Sequence, residues 1–531
     1  MTCECRLRSV LLSILAALAI VPQATGQGNA DRGVVMLTDY FDLLISGNLE
    51  SAQQFWTESS LERSARFGIS FESIPLKVDA SSPIVRDIDF MRDYLQPPVK
   101  SVAELPGGEY FRLEYQSIVK GQKIQHLYFA YFDGQYYWLT YPQEYYAQGW
   151  QVLETEYLRI HVHPDISRGL NKVALEEADR FIEKMVGELD LSKDAKQALK
   201  NKKIEYYYCR DDQVVKEFTG RLVKGMLDLA SNDIITSFFP HYHELVHLLT
   251  NIKMQRLPLY TQPLVREGIA VHYGGRWGKA PAALADLGAF LYREDIVELD
   301  SLLTMAGFQE NSASDIAYPV AGLFCGWLLE KIGRDGLLQL YRDLSGRFER
   351  IDSMALPTVR PILTRSTGVG NWDDLLADFD RYINDRATKG RVAVPGGLGK
   401  GKEVVRREQF VVTANDEWLS FEFTGKAGTD PTGNILFGID SRLTPTSSLM
   451  FDEQYGSKYV YEGHRWGMRF DRNEAGLYDY ATGHLVAKYI WGITPSDDYY
   501  QADSNIVRIC FKRDLIGKSW AEPNDVILLP E

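Results

Sequence analysis

Pro240-His241-Tyr242-His243-Glu244-Leu245-Val246-His247-Leu248-Leu249-Thr250 is the stretch around which the rest of the chain can be ordered. A helix turns ~100° and rises ~1.5 Å per residue, so positions four apart lie on one face, one turn above the other. His243 and His247 therefore share a face, and both imidazoles can reach one cation at the ~2.0–2.1 Å that zinc–nitrogen bonds require. Glu244 lies beside the first histidine, where a carboxylate can hold a water on such an ion. Leu245, Val246, Leu248 and Leu249 point elsewhere, so the helix is expected to carry chemistry on one side and core on the other. Pro240 suits the first turn, where a missing N–H costs nothing. His241 projects from a different face and reads as a cap or a residue on the substrate side.

Two features lift the motif above a chance pairing among nine histidines. Its flanks are helical and amphipathic. A second helix-like run, Pro263-Leu264-Val265-Arg266-Glu267-Gly268-Ile269-Ala270-Val271-His272, then supplies an acidic residue, with nineteen residues between His247 and Glu267. The pattern from Ser237 to Gly275 resembles the gluzincins, the peptidase MA-like zinc metallopeptidases that include thermolysin-like and aminopeptidase-like enzymes. That resemblance implies one zinc ion held by His243, His247 and Glu267, with Glu244 as the general base of peptide-bond hydrolysis. It also implies that Gly225 to Ala230 is a sheet edge along which a peptide substrate lies. The other common arrangement, glycine three residues and histidine six residues beyond the second histidine, is excluded because Thr250 and Lys253 stand there. His272 is a rival third ligand whose plainer reading is structural. Arg266 departs from the asparagine that thermolysin-like and aminopeptidase-like enzymes carry before this glutamate. The Gly-x-Met-Glu-Asn motif that binds a substrate amino terminus is absent, so aminopeptidase action of that type is not implied. Several gluzincins set a tyrosine hydroxyl against the oxyanion, a role open to Tyr318 in Ala317-Tyr318-Pro319; the alternative is a tyrosine that only packs.

At 531 residues the chain has room for two to four domains, each able to bury a core. A net charge of −14 and the lack of a long basic run argue against a nucleic-acid surface. Residues 1–26 read as a secretory signal, with Arg6 and Arg8, an apolar run from Val10 to Val21, and Ala24-Thr25-Gly26 ahead of Gln27. The competing reading is a membrane anchor, for which the run is short. The expected location is therefore periplasmic or extracellular, with no membrane span after signal removal. Once Cys3 and Cys5 leave with the signal, Cys209, Cys325 and Cys510 are too sparse for a disulfide framework, although one Cys209–Cys510 bridge stays open.

The expected fold class is multidomain α+β. Residues 31–148 read as a small α+β domain, with helices over Val34 to Ile45 and Leu49 to Phe55. Aromatic strands follow over Tyr110 to Val119, Lys123 to Phe132 and Gln135 to Tyr141, the last two meeting at Asp133-Gly134. This pattern resembles the cone-shaped fold of nuclear transport factor two. Residues 150–386 hold the motif in a mixed-sheet lobe, followed by helices over Pro281 to Tyr292, Ile296 to Leu303, Pro319 to Ile332, Gly336 to Leu344 and Trp372 to Ile383. Glycines and Pro395 in 387–402 mark a linker. Short strands from 403 to 531, Tyr459 to Tyr461 among them, predict a β-sandwich similar to carbohydrate-binding or DOMON-like modules. There Trp466, Tyr478 and Trp491 are candidate sugar platforms, with core packing as their alternative.

Two functions from different classes fit this reading. One is an exported zinc peptidase acting on peptide or protein, with a glycan held by the C-terminal domain. The other is a binding or scaffold protein whose zinc site is structural and whose flanking domains hold glycan or protein partners. Glu244 separates them, because a structural site has no need of a general base.

Overall fold

The computed structural model describes residues 29–71, 74–88, 99–119, 122–166, 170–256, 260–312, 316–346, 355–390, 402–406, 409–416, 418–425, 432–440, 442–443, 464–471, 474–490, 500–503, 506–513, 515–516 and 527–529. The signal-like segment 1–26, most of the linker-like 387–402, the strand expected at Tyr459 to Tyr461, and Trp491 lie outside them. Among the described residues, no helix is long and apolar enough to cross a membrane. The chain is of mixed α+β structure and divides into two compact units, Met1–Thr57 with Ile88–Tyr141, and Glu58–Asp87 with Pro142–Glu531.

The smaller unit pairs helix α1 (Asn29–Ile45) and the short α2 (Leu49–Gln53) with an antiparallel sheet of β1 (Val99–Glu104), β2 (Tyr110–Val119), β3 (Gln122–Phe132) and β4 (Tyr137–Thr140), in that order. Leu37, Tyr40, Phe41 and Leu44 recur at helical spacing and are all buried. Phe41 meets Tyr115 of β2 edge-on, ring centroids 5.0 Å apart. The β3–β4 turn falls at Asp133-Gly134, where Gly134 has φ 96° and the Asp133 carboxylate accepts from the backbone N–H groups of Gln135 and Tyr136.

The division departs from the 31–148 boundary read from sequence, and charge gives the reason. Helix α3 (Glu58–Ala65) belongs to the larger unit. Arg63 and the following Arg66 reach the fully buried Asp233 at 3.0 and 2.5 Å, and a buried carboxylate must keep such partners.

The larger unit begins with a five-stranded sheet of β5 (Gln151–Glu154), β6 (Leu158–Val162), β7 (Ile204–Tyr208), β8 (Gly225–Asp228) and β9 (Asp233–Thr236), ordered β5-β6-β7-β9-β8. The β6, β7 and β9 strands run parallel, while β5 and β8 are antiparallel edges. Every residue of β7 is buried, as a central strand covered on both faces requires. Helix α4 (Lys172–Glu188), N-capped by Asn171, precedes the α5 (Tyr242–Met254) that carries the motif. A small ribbon of β10 (Tyr260–Thr261) and β11 (Ser345–Gly346) brackets α6 (Pro263–Gly274), α7 (Pro281–Arg293) and the long α8 (Ala317–Asp343), which kinks at Gly333. The α-helix expected at Ile296 to Leu303 is instead a 3₁₀ turn over Leu299–Leu302, where the Ser301 hydroxyl donates back to the Glu298 carbonyl and competes with helix propagation.

From Lys402 the chain forms two five-stranded antiparallel sheets. One is ordered β12 (Lys402–Arg406), β13 (Phe410–Ala414), β14 (Trp418–Thr424), β20 (Ile506–Lys512), β19 (Tyr500–Asp503). The other is ordered β18 (His484–Ile490), β17 (Glu474–Asp479), β16 (His464–Phe470), β15 (Gly433–Ile439), β21 (Ile527–Leu529). Alternating apolar residues of both sheets share one core, in which Phe421 and Phe437 stand 5.3 Å apart across the layers. Trp466 is part of that core at 3% exposure and so takes the packing alternative, whereas Tyr478 is half-buried. Cys209, Cys325 and Cys510 are buried free thiols, so the Cys209–Cys510 bridge does not form.

Candidate metal centre

The motif helix starts later than Pro240 suggests. Its first residue is Tyr242 and His241 is the N-cap, although the His241 side chain makes no cap bond. Instead His241 Nδ1 meets the Thr236 hydroxyl of β9 at 2.9 Å, and the His241 N–H donates to the Tyr206 hydroxyl at 3.0 Å. Tyr206 in turn donates to the Phe238 carbonyl at 2.6 Å, so the β9–α5 connection is held from the centre of the sheet. Burial drives the His241 pKa down to about 4, which leaves its imidazole neutral at pH 7.

Helix α6 supplies the remaining candidate ligand by close packing. A Cβ on Gly268 would lie 2.5 Å from the Ala321 carbonyl of α8, and one on Gly274 would lie 2.7 Å from the Tyr242 carbonyl carbon of α5. These two glycines let α6 approach both neighbours at backbone distance. Glu267 Oε2 then lies 3.1 Å from His243 Nε2 and 3.3 Å from His247 Nε2, and the two imidazole nitrogens are 3.2 Å apart. In a tetrahedral site with ~2.0–2.1 Å bonds the ligand atoms stand about 3.3 Å from one another. Two imidazoles and a carboxylate at these spacings therefore fit three corners around a small cation, with a fourth left over. His243, His247 and Glu267 form the one such group among the described residues. His272 is not in it; its ring lies against Gly326 of α8.

Neighbouring groups fix the ligands. His243 Nδ1 lies 3.0 Å from the Gly275 carbonyl, to which it can donate only as the tautomer that leaves Nε2 with a lone pair. Arg266 Nε donates to Glu267 Oε1 at 2.8 Å, turning the other oxygen toward the histidines. Burial pushes the Glu267 pKa up, but Arg266, then His247 and His243, outweigh it and hold the carboxyl well below its ordinary range.

Glu244 is 8% exposed, and its Oε2 accepts from the backbone N–H of Leu227 on edge strand β8 at 2.8 Å. Burial raises its pKa, but His241, His247 and His243 together reverse this, so the carboxyl titrates below its usual value and is ionised at pH 7. The expected edge is thus β8, shorter than Gly225 to Ala230, and its free side faces the acidic member of the motif.

Tyr318, the second residue of α8, is outside the ligand triangle but close to it, its ring 6.3 Å from that of His243. It packs edge-on against Phe308 at 5.3 Å, and the Arg276 guanidinium lies over its ring. Burial raises its pKa, with Glu267 adding and Arg276 opposing. Arg276 also covers the exposed Trp277 at 4.1 Å. The Gly275 carbonyl, Arg276 and the Leu227 N–H were not singled out from sequence. Gly274-Gly275 signals only a helix end, and nothing local announces what its carbonyl will face. Compared with protein-family models, with curated proteins and with solved structures, the chain matches none.

Proposed function

We propose that the chain is an exported, zinc-dependent peptidase of the gluzincin type, acting on peptide or protein in the periplasm or outside the cell. In this reading residues 150–386 are a gluzincin-like domain, the N-terminal region is a domain resembling nuclear transport factor two, and residues 403–531 are a β-sandwich that can hold glycan. The observation that carries the proposal is the convergence of His243 Nε2, His247 Nε2 and Glu267 Oε2 within 3.3 Å of one another, with Glu244 ionised alongside. Two nitrogens and one oxygen are a donor set that zinc accepts, and a set of three protein ligands among the described residues is what a catalytic rather than a closed structural site would use. Zinc, when bound, supplies a Lewis acid for the scissile carbonyl.

The protein's own groups do the rest. Glu244 takes a proton from the attacking water on a carboxylate oxygen and returns it to the amide nitrogen as the C–N bond breaks. Its lowered pKa keeps it ionised at neutral pH, the state from which the first half of that cycle starts. The substrate main chain lies along the side of β8 away from β9, where the Leu227 N–H is bonded to Glu244, and backbone pairing aligns the peptide without demanding particular side chains. In this reading Tyr318, its ring 6.3 Å from that of His243, offers a neutral hydroxyl to the developing oxyanion.

The Glu244–Leu227 bond also favours a second reading. A carboxylate tied to an edge strand can be structural, and the metal can then hold α5 to α6 in a scaffold for glycan or protein partners. Purified full-length protein and its Glu244→Gln variant separate the two. The peptidase reading expects both to retain about one zinc and only the wild type to cleave an unstructured protein substrate. Equal, negligible cleavage with zinc retained would leave the scaffold.

A further inference from the structure

The two-sheet C-terminal region touches the metal helix through the hairpin joining β17 to β18. His484 stacks on Tyr242, the first residue of α5, with ring centroids 4.8 Å apart and 20° between planes. Tyr242 stacks in turn on Phe181 of α4 at 4.3 Å, and Phe238 meets His484 edge-on at 5.3 Å. Beside this stack, the Leu485 N–H donates to the Gly278 carbonyl at 2.6 Å and the Ala280 N–H donates to the Leu485 carbonyl at 2.9 Å. The loop so paired is the one whose Gly275 carbonyl faces His243 Nδ1. Asn171 Nδ2 donates to the Ala481 carbonyl at 2.8 Å, and Arg465 joins Asp479 of its own sheet to Glu177 of α4. His484 is 6% exposed. A module swinging on a linker would not bury an imidazole and exchange two backbone hydrogen bonds with the domain beside it.

We propose that this hairpin is a positioning element of the metal centre, in which His484 acts through Tyr242, and Leu485 through the 275–280 loop, to hold His243 in its ligand orientation. The inference rests on the metal-site part of the functional reading and not on peptide hydrolysis. Groups that orient a ligating histidine are worth ~10–100-fold in metal affinity. Coupling of this kind is reciprocal, so whatever the docked hairpin adds to metal binding, bound metal adds to docking.

The test uses the full-length protein and zinc alone, in competition with a chelator. His484→Ala is expected to weaken zinc binding about tenfold in the folded protein. His484→Phe, which keeps a ring on Tyr242, is expected to restore the wild-type affinity. A folded His484→Ala variant that holds zinc as tightly as the wild type overturns the proposal. Because that variant can fail to fold, the wild type gives a second measurement. Amide exchange at Ala280 and Leu485 is expected to slow when zinc is added, and unchanged exchange in protein shown to bind zinc overturns the proposal. A wild type that binds no zinc overturns the metal site itself, and the hairpin's role with it.

Discussion

Two buried clusters in the larger unit are made of similar parts and differ in whether their charges close. Beneath α3, the Asp233 carboxylate accepts from Arg63 at 3.0 Å, Arg66 at 2.5 Å and Gln143 at 3.1 Å. Near it, Glu205 accepts from Arg159 at 2.9 Å and faces His161 at 2.6 Å. Each of these four oxygens meets a donor. Between α5 and α6, by contrast, two imidazole nitrogens and one carboxylate oxygen turn toward one another at 3.1 to 3.3 Å, an arrangement that needs a shared proton or a cation at its centre. Buried charge alone does not mark a site, since the Asp233 cluster has as much of it. What singles out the candidate is the convergence of three ligand-type atoms on one point.

The largest expected effect strikes the open cluster. On the proposed peptidase reading, His247→Ala removes one of three candidate ligand atoms, and peptide hydrolysis should fall at least ~1,000-fold, or ~4 kcal/mol in activation free energy. Zinc at ~100 times its Kd should stabilise the wild type by ~2.7 kcal/mol and leave His247→Ala unmoved in the same denaturant titration. The closed cluster should answer in the opposite way. Asp233→Ala removes the nearest countercharge of Arg66, which is 8% exposed and keeps only the Ser231 and Asn232 carbonyls and the more distant Glu205, and should cost ~3–5 kcal/mol in urea unfolding, while the fraction that folds keeps its response to zinc. A zinc response in His247→Ala, or its loss in Asp233→Ala, would erase the distinction between the two clusters.

The same contrast explains what could be read from sequence. His243, Glu244 and His247 are legible because helical geometry brings neighbours and residues four apart together within a single element, whereas Glu267 is reached only through the resemblance of its spacing to the gluzincins. The closed cluster is not, since its pairs span 167 and 170 residues and no periodicity encodes which arginine will find which aspartate. That is also why the sequence does not announce that Glu58–Asp87, inside the 31–148 region, joins the larger unit. The apolar alternation of β13, β14, β16 and β20 predicts strands and a layered core, but not the docking of the hairpin at His484, which depends on Tyr242 and Phe238 arriving from another domain. Tyr318 could be placed near the site by its helix, while Arg276 above it could not, because a residue after a helix-ending glycine pair carries no directional signal.

His484 sharpens the contrast from outside both clusters, as a buried imidazole facing the rings of Tyr242 and Phe238 where His247 faces Glu267. Burial lowers its pKa to about 4 from an ordinary 6.5, so on acidification the unfolded chain takes up the proton first. The stability held in the neutral ring is therefore complete above pH 6.5 and drains away as pH falls toward 4. Between pH 7 and pH 5 the loss should be about 2 kcal/mol. In chelator-treated protein, the unfolding free energy of His484→Phe from urea titration should drop less than that of the wild type over this interval by about that amount; parallel pH profiles would place the imidazole in water.

The smallest effect comes from moving the pairing of the closed cluster to the surface. Arg442 and Glu176 join at 2.5 Å, as short as the Arg66–Asp233 contact, but their side chains are 37% and 38% exposed. Water solvates both partners when they separate, so geometry that is decisive around Asp233 should count for little here. Glu176→Ala is expected to change unfolding free energy by less than ~1 kcal/mol, and that difference should vanish in ~1 M salt, where screening reaches only ~3 Å. The cost of Asp233→Ala should survive the same salt, because a charge enclosed by protein is screened far less. If the surface variant cost as much as the buried one, distance rather than enclosure would govern these pairs, and the closed cluster would lose its claim to be what holds α3 to the sheet.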